Sequence, residues 1–202
     1  SDQWGNIIAG VDLIRRKVVT GIALNGAGAI HDFELAFMGS TSEDVEAALA
    51  DGSFGMAEET HSTLNAAIRE GAKKNLGLGE SVCVMIIDKQ LPFRNISLLA
   101  TCRELGVPAT VHVALGTDII HQQSSADGAA IGQTSMADFR KLVGVVSGLS
   151  GGVVGNLGSA VILPEVFLKA ISIARNLGHA VQDFTAFDCD MIRHYRPTQN
   201  VL

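Results

Sequence analysis

The chain has 202 residues, a length typical of one domain with a sizeable buried core. Hydrophobic residues make up 47% of the chain and charged residues only 18%, which favours buried parallel strands over a sheet with one wet face. The net charge of −6 argues against nucleic acid or an anionic membrane as a partner, because both require a basic face. There is no apolar run of membrane-spanning length, no signal-peptide pattern and no CxxC pair, so we expect a cytoplasmic protein with reduced cysteines.

The first half of the chain is predicted to alternate helices with short strands. Apolar spacing, with cations in the last turn, predicts a helix over residues 5–17, and a buried strand follows over residues 18–24. Small residues at 25–29 predict a tight turn, and the next helix is predicted to begin near His31. The further elements predicted before residue 107 are a helix from Thr41 or Ser42 to Ala50, a long helix over 56–76, a strand or buried helix over 83–87, and a helix over Leu98–Leu105 that Gly106 ends.

The second half opens on an apolar run at residues 109–115 that has the pattern of a strand buried on both faces. Small residues at 127–132 predict a loop, and Thr134 or Ser135 is expected to cap a helix that starts near Met136. The elements predicted after residue 150 are a short strand between glycines, a helix with Pro164 in its first turn that ends at Asn176, a last strand over 180–186, and an irregular tail from Asp188.

The alternation of strands and helices predicts an α/β fold, with a mostly parallel sheet covered by helices on both faces. We predict one domain over residues 1–202. The first predicted element is a helix that no strand precedes, which favours a fragment or a shortened relative that lacks an N-terminal strand.

Asp118 and His121 form the candidate catalytic pair. Both directly follow the strand predicted at 109–115, and ligands of open α/β sheets bind at the carboxyl ends of strands. A carboxylate there can receive a substrate ammonium, and a histidine can move protons at neutral pH. Asp118 also fits a turn residue that accepts backbone amides. A metal-dependent hydrolase using His112, Asp118 and His121 is a third alternative, although no HExxH-type spacing occurs.

The order of these motifs resembles deoxyhypusine synthase and, more closely, the bacterial deoxyhypusine synthase-like proteins. The family's NAD-holding Thr-Ala-Gly-Gly turn is matched by the turn at 25–28, and its Pro-Ala-Leu-Thr-Asp-Gly segment by residues 113–118. The resemblance implies that NAD contacts these residues: Asn6, Asn25, Gly26, Ala27, Gly28, Thr185 and Ala186. The resemblance also implies that Asp118 contacts a polyamine substrate, with Thr117 next to it in the sequence. We place His31 and Asp32 in the substrate site as well. The alternatives are a plain tight turn at 25–28 and a helix-capping role for His31 and Asp32.

Three departures from the family argue against synthesis of deoxyhypusine. The segment that carries a histidine in the family contains none here, and Glu165 is the candidate substrate carboxylate in its place, with helix capping as its alternative role. The family's Trp-Gly-Lys motif with its nucleophilic lysine does not occur in this sequence. The aspartate-rich loop is replaced by residues 187–190.

The resemblance implies a Rossmann-like NAD-binding fold and a homo-oligomer, a dimer or a tetramer. The first functional prediction is an enzyme that uses NAD to oxidise an amine or alcohol transiently, with Asp118 and Glu165 holding the small-molecule substrate and His121 shuttling the proton. The second is a non-catalytic nucleotide-binding protein that keeps the pocket without the lysine.

Overall fold

The computed structural model describes residues 3–40 and 58–202, with the side chains of residues 3–6 outside that description. The chain divides into two compact units, Ser1–Ala137 and Asp138–Leu202, where the sequence suggests a single domain. Each unit contains one pair of parallel strands. The protein is therefore α/β with parallel strands, but among the described residues the strands form two separate two-stranded sheets instead of one continuous sheet.

The elements of the first unit carry the candidate site. In chain order they are α1 (Gln3–Arg15), β1 (Ile22–Asn25), α2 (Gly26–Met38), α3 (Glu58–Lys73), α4 (Leu78–Asp88), a 3-10 turn (Arg94–Ile96), α5 (Leu98–Leu105), β2 (Ala109–His112), a second 3-10 turn (Ile119–His121) and the start of α6 (Gly128–Ser147). The second unit contains the end of α6, then β3 (Val153–Leu157), α7 (Ile162–Asn176), β4 (Thr185–Cys189) and α8 (Tyr195–Asn200).

The first strand pair determines where the site lies. β1 and β2 run parallel, with Ile22 opposite Ala109 and Asn25 opposite His112, so both strands end at the same edge. Val111 is fully buried in a core that α2, α3, α4 and α5 cover with apolar side chains. The sequence predicts Ile7, Ile8, Val11 and Ile14 on the buried face of α1; Ile7, Val11 and Ile14 are buried, whereas Ile8 is 49% exposed. The chain from β1 to α2 and from β2 to the second 3-10 turn therefore leaves the sheet at one edge.

Several predicted boundaries are wrong, and most of the errors arise at small residues. α2 begins at Gly26 and α6 at Gly128, because the helices extend through stretches that small residues marked as turn and loop. Residues 83–87 lie within helix α4, so of the two alternatives predicted there the buried helix is confirmed. The last strand covers Thr185–Cys189 instead of 180–186, and the tail contains α8. The elements predicted over 41–57 lie outside the described residues.

The prediction for α5 is confirmed at both ends. Ser97 caps its first turn by accepting a hydrogen bond from the Ala100 amide at 3.0 Å, and Gly106 ends it in the left-handed conformation at φ 69°. Within the part of the chain that the structure describes, no helix combines the length and apolar character needed to cross a membrane.

Candidate functional site

The turn at residues 25–28 is the N-terminus of helix α2. The side-chain oxygen of Asn25 accepts a hydrogen bond from the Gly28 amide at 2.7 Å, so Asn25 is an N-cap. Because Asn25 ends β1 and the helix starts at the next residue, the strand feeds directly into the helix. The first-turn amides of α2, which have no partner within the helix, therefore lie at the carboxyl end of the strand pair.

Gly26 packs against the carboxylate of Asp118. A Cβ built on Gly26 would lie 1.9 Å from Oδ2 of Asp118 and 2.5 Å from its Cγ, so no larger residue fits while the carboxylate stays in place. The turn after β1 and the loop after β2 thus meet at the strand ends. The structure brings together Asn25, Gly26 and Asp118, which the sequence assigned to one site.

Asp118 and His121 hold one another across the second 3-10 turn. The Asp118 side chain accepts the His121 backbone amide, and Nδ1 of His121 accepts the Asp118 amide at 3.3 Å, in a capping box. The same Nδ1 also accepts the Gly116 amide at 3.2 Å. Because Nδ1 accepts two backbone hydrogen bonds, the ring proton of this imidazole lies on Nε2. Nε2 is buried and has no hydrogen-bond partner among the described residues.

Oδ2 of Asp118 is an open acceptor only in the sense that no described group donates a hydrogen bond to it. Asp118 is only 9% exposed, and this oxygen is buried without a hydrogen-bond partner in the described part of the chain. Burial raises the pKa of the Asp118 carboxyl above its ordinary value. The pair thus offers a carboxylate oxygen that accepts and an imidazole N–H that donates.

His112 is held by the sheet and not by this pair. The Thr110 hydroxyl is within hydrogen-bond distance of the Ile22 carbonyl at 3.3 Å, and Nε2 of His112 shares a hydrogen bond of 2.9 Å with Thr110 Oγ1. Burial lowers the pKa of His112 to about 4, so the ring is neutral at physiological pH. Across residues 3–40 and 58–202, no group of three or more His, Cys, Asp and Glu side chains could hold a metal ion. The geometry therefore gives no support to a metal centre of His112, Asp118 and His121.

Asp32 is a helix cap in the interior of the first unit. It is fully buried and accepts hydrogen bonds from the Ser97 hydroxyl at 2.7 Å and from the amides of Leu98 and Leu99 at 2.6 and 3.1 Å. These contacts fit the capping alternative, with the difference that Asp32 caps α5 and not its own helix. His31, the next residue toward the N-terminus, is half-buried, and burial lowers its pKa. Its Nδ1 lacks a partner among the described side chains and backbone.

Glu165 lies in the second unit, where its carboxylate joins α7 to α8. Oε2 contacts Lys169, and Oε1 accepts from Arg196 and, at 3.1 Å, from Asn200. The hydrogen bond from Lys169 is the largest cause of a lowered Glu165 pKa, followed among the favourable contacts by Asn200 and Arg196. A carboxylate with three donors at its two oxygens is a poor candidate for a substrate acceptor. All three partners are side chains, so Glu165 links α7 to α8 and is not the backbone cap that the sequence offered as its alternative role.

We predict that Glu165→Gln loosens α8 while leaving ligand binding at Asp118 unchanged. Gln keeps an acceptor for Asn200 but loses the charge that holds Lys169 and Arg196. Amide hydrogen exchange in residues 195–200 is expected to accelerate, with the first unit unaffected. A matched control is Glu70→Gln, which removes a comparable exposed contact to Lys73 in α3. Loss of ligand binding in Glu165→Gln alone would restore the catalytic role.

The remaining predicted residues lie on several elements of the two units. Thr117 is exposed and donates to the Ala114 carbonyl at 2.7 Å within the site loop. Thr185 and Ala186 begin β4 in the second unit, opposite Val153 and Val154. Asn6 lies in α1, and its side chain is outside the described part of the chain.

Two buried asparagines, Asn65 and Asn156, are polar residues that the sequence did not mark as candidates. Asn65 of α3 bonds the loop that carries Asp118, and Asn156 of β3 donates to Asp188 Oδ1 at 2.7 Å and to the Ser159 carbonyl at 2.9 Å. Asn65 is three residues before the buried Ile68 and one after Leu64, so an amide on the apolar face of an amphipathic helix was the available signal.

Comparison of the chain with protein-family models, with curated proteins and with solved structures finds no match. The likeness to deoxyhypusine synthase therefore rests on the sequence motifs alone.

Proposed function

We propose that this chain is a deoxyhypusine synthase-like protein that binds a small amine at the carboxyl ends of β1 and β2, with NAD as its cofactor. The observation that carries the proposal is the unpartnered Oδ2 of Asp118, buried against Gly26, in a capping box with His121, whose Nε2 is also unpartnered among the described residues. An ammonium group donates to such a carboxylate and pairs with its charge. A hydroxyl or second nitrogen on the same ligand would accept from His121.

The residues fit one part of NAD and not another. Gly26 is covered by the Asp118 carboxylate, and the Gly28 amide is already used by Asn25. A pyrophosphate on this turn would meet a negative charge where it needs free amides. A ribose hydroxyl, in contrast, can donate to Oδ2 of Asp118. Binding of NAD therefore requires its phosphates to lie away from Gly26, and the Rossmann-like fold and homo-oligomer of the resemblance belong to the same proposal.

A non-catalytic binding protein is the second candidate, and the tautomer of His121 favours it. To take a proton at Nε2, the ring must first move its own proton to Nδ1, which would break the contacts with the Gly116 and Asp118 amides. In the present arrangement His121 is a donor and not a base. Ligand binding without turnover is the result that this second candidate predicts.

Replacement of Gly26 by alanine tests the site. The new methyl group collides with Asp118, so Gly26→Ala is expected to weaken putrescine binding by about tenfold or more, as for loss of one charged hydrogen bond. Gly128→Ala is the matched control, because Gly128 also begins a helix but has open space around its missing Cβ. The measurement is calorimetric titration of putrescine and of NAD into folded wild-type and variant proteins. If wild-type protein binds neither putrescine nor NAD, the proposal is refuted. If Gly26→Ala binds putrescine as tightly as wild-type protein does, Asp118 is not part of the site.

A further inference from the structure

The loop that carries Asp118 and His121 is tied to α3 by a buried amide. Asn65 is 2% exposed, and its Nδ2 donates to the Ile120 carbonyl and to the Ser125 hydroxyl, both at 3.0 Å. The orientation of this amide is assigned from its contact with Ile120, because the reverse orientation would set its oxygen against the Ile120 carbonyl oxygen. Both protons of Nδ2 are thus donated to hydrogen-bond acceptors of the loop.

One helical turn further along, Arg69 holds the same loop. Its guanidinium donates to the Ser125 carbonyl, and residues four apart share one face of a helix. Asn65 and Arg69 therefore bind two points of the loop, at Ile120 and at Ser125. The loop between β2 and α6 contains only one short 3-10 turn, so these contacts supply the order that regular structure does not.

The contact at Ile120 lies between the two residues of the candidate site, Asp118 and His121. Ile120 lies in the 3-10 turn between Asp118 and His121, and its side chain is 4% exposed in the core. A shift of its carbonyl would move the His121 ring away from the amides that Nδ1 accepts. It would also disturb the reciprocal cap that keeps Asp118 beside Gly26.

We propose that Asn65 is a positioning residue for this site: it fixes the turn at Ile120, so that His121 keeps its proton on Nε2 and Asp118 keeps its open oxygen. The role in ligand binding rests on the proposed function, whereas the effect on His121 does not. A purely structural Asn65 would change stability and leave the His121 tautomer as it is.

The test is the tautomeric state of His121 in ligand-free protein, read from its imidazole ¹⁵N chemical shifts and assigned with His121→Gln. Wild-type protein is expected to show a single tautomer with the proton on Nε2. Asn65→Ala is expected to shift both ring nitrogens toward the average of two tautomers. The control is Ile14→Ala, which creates a cavity in the apolar cluster around α1. Its loss of unfolding free energy, measured in urea, serves as the reference for the loss in Asn65→Ala. Half-buried Arg69→Ala serves as a second variant if Asn65→Ala does not fold.

Putrescine affinity, measured on the same proteins, separates the two claims. We expect it to fall about tenfold in Asn65→Ala, the equivalent of one lost hydrogen bond, and to stay unchanged in Ile14→Ala. An unchanged His121 spectrum in folded Asn65→Ala, or in Arg69→Ala where Asn65→Ala does not fold, overturns the positioning role, whatever binds. A changed spectrum with no putrescine binding in wild-type protein leaves the positioning role standing and refutes the proposed function.

Discussion

Asp32→Ala is expected to lower the free energy of unfolding by about 2 to 3 kcal/mol at pH 7. The change removes the acceptor of three hydrogen bonds and leaves the Ser97 hydroxyl and the amides of Leu98 and Leu99 buried. Those donors begin α5, whose Leu99 is part of the main core. Urea denaturation measures the effect. Asp127→Ala is the control: Asp127 is an exposed cap that accepts the amides of Ala129 and Ala130, and its loss is expected to cost about 1 kcal/mol.

The penalty of Asp32→Ala is also expected to depend on pH. Burial raises the pKa of Asp32 from 3.8 to about 6, and it outweighs the hydrogen bonds from Ser97, Leu98 and Leu99, which act in the opposite direction. The folded protein therefore binds a proton that the unfolded chain has released between about pH 4 and pH 6. Stability from this group is complete below pH 4 and is lost as the pH rises through 6. The difference between the two pKa values corresponds to about 3 kcal/mol.

Comparison of the variants isolates this titration. The difference in stability between wild-type protein and Asp32→Ala should be larger at pH 4 than at pH 7, and Asp32→Asn should show the same pH trend with a smaller penalty, since Asn keeps one acceptor oxygen. Ser97→Ala removes one donor to Asp32 and should keep the pH dependence. A difference that is flat from pH 4 to pH 7 would mean that Asp32 does not titrate in this range.

Local signals predicted the elements that depend on local chemistry. The Ser97 cap and the Gly106 ending determine α5, and the spacing of Ile7, Val11 and Ile14 determines the buried face of α1. These features depend on residues three or four apart, so the sequence of a single helix and its flanking residues is enough to predict them. Asn25 carried the same kind of signal, and it was obscured because the following glycine and alanine residues are typical of turns as well as of helix starts.

Pairing across the chain could not be predicted in the same way. Nothing near Asp32 indicates that its partners are 65 to 67 residues away at Ser97, Leu98 and Leu99. Glu165 likewise meets Arg196, 31 residues later. For Asp32 and Glu165 the sequence supplied only a residue type and a position in a helix. Both are compatible with a helix-capping role and with a ligand-binding role. Asp118 was better determined, because the end of a parallel strand restricts where its side chain lies.

Asp118→Asn is expected to stabilise the ligand-free protein by about 1 kcal/mol and to abolish most amine binding. Asn keeps the shape that packs on Gly26 and retains an oxygen for the His121 amide, while it removes a buried charge that has an unpartnered oxygen. Opposite effects on stability and on binding are typical of a group that function and not folding requires. Denaturation in urea and titration with putrescine measure the two effects.

The charge of Asp118 also fixes the pH dependence of binding. Its pKa is raised in the free protein, so at low pH the carboxyl is protonated and offers no charge to an ammonium. Putrescine affinity should therefore rise with pH in wild-type protein and be weak and independent of pH in Asp118→Asn. At the highest pH measured, wild-type protein should bind putrescine at least about tenfold more tightly than Asp118→Asn. Asp127→Asn, an exposed cap of similar chemistry, is expected to bind as wild-type protein does. If Asp118→Asn lowered stability and kept its affinity, the carboxylate would be a turn residue that accepts backbone amides, and the open oxygen would have no ligand to receive.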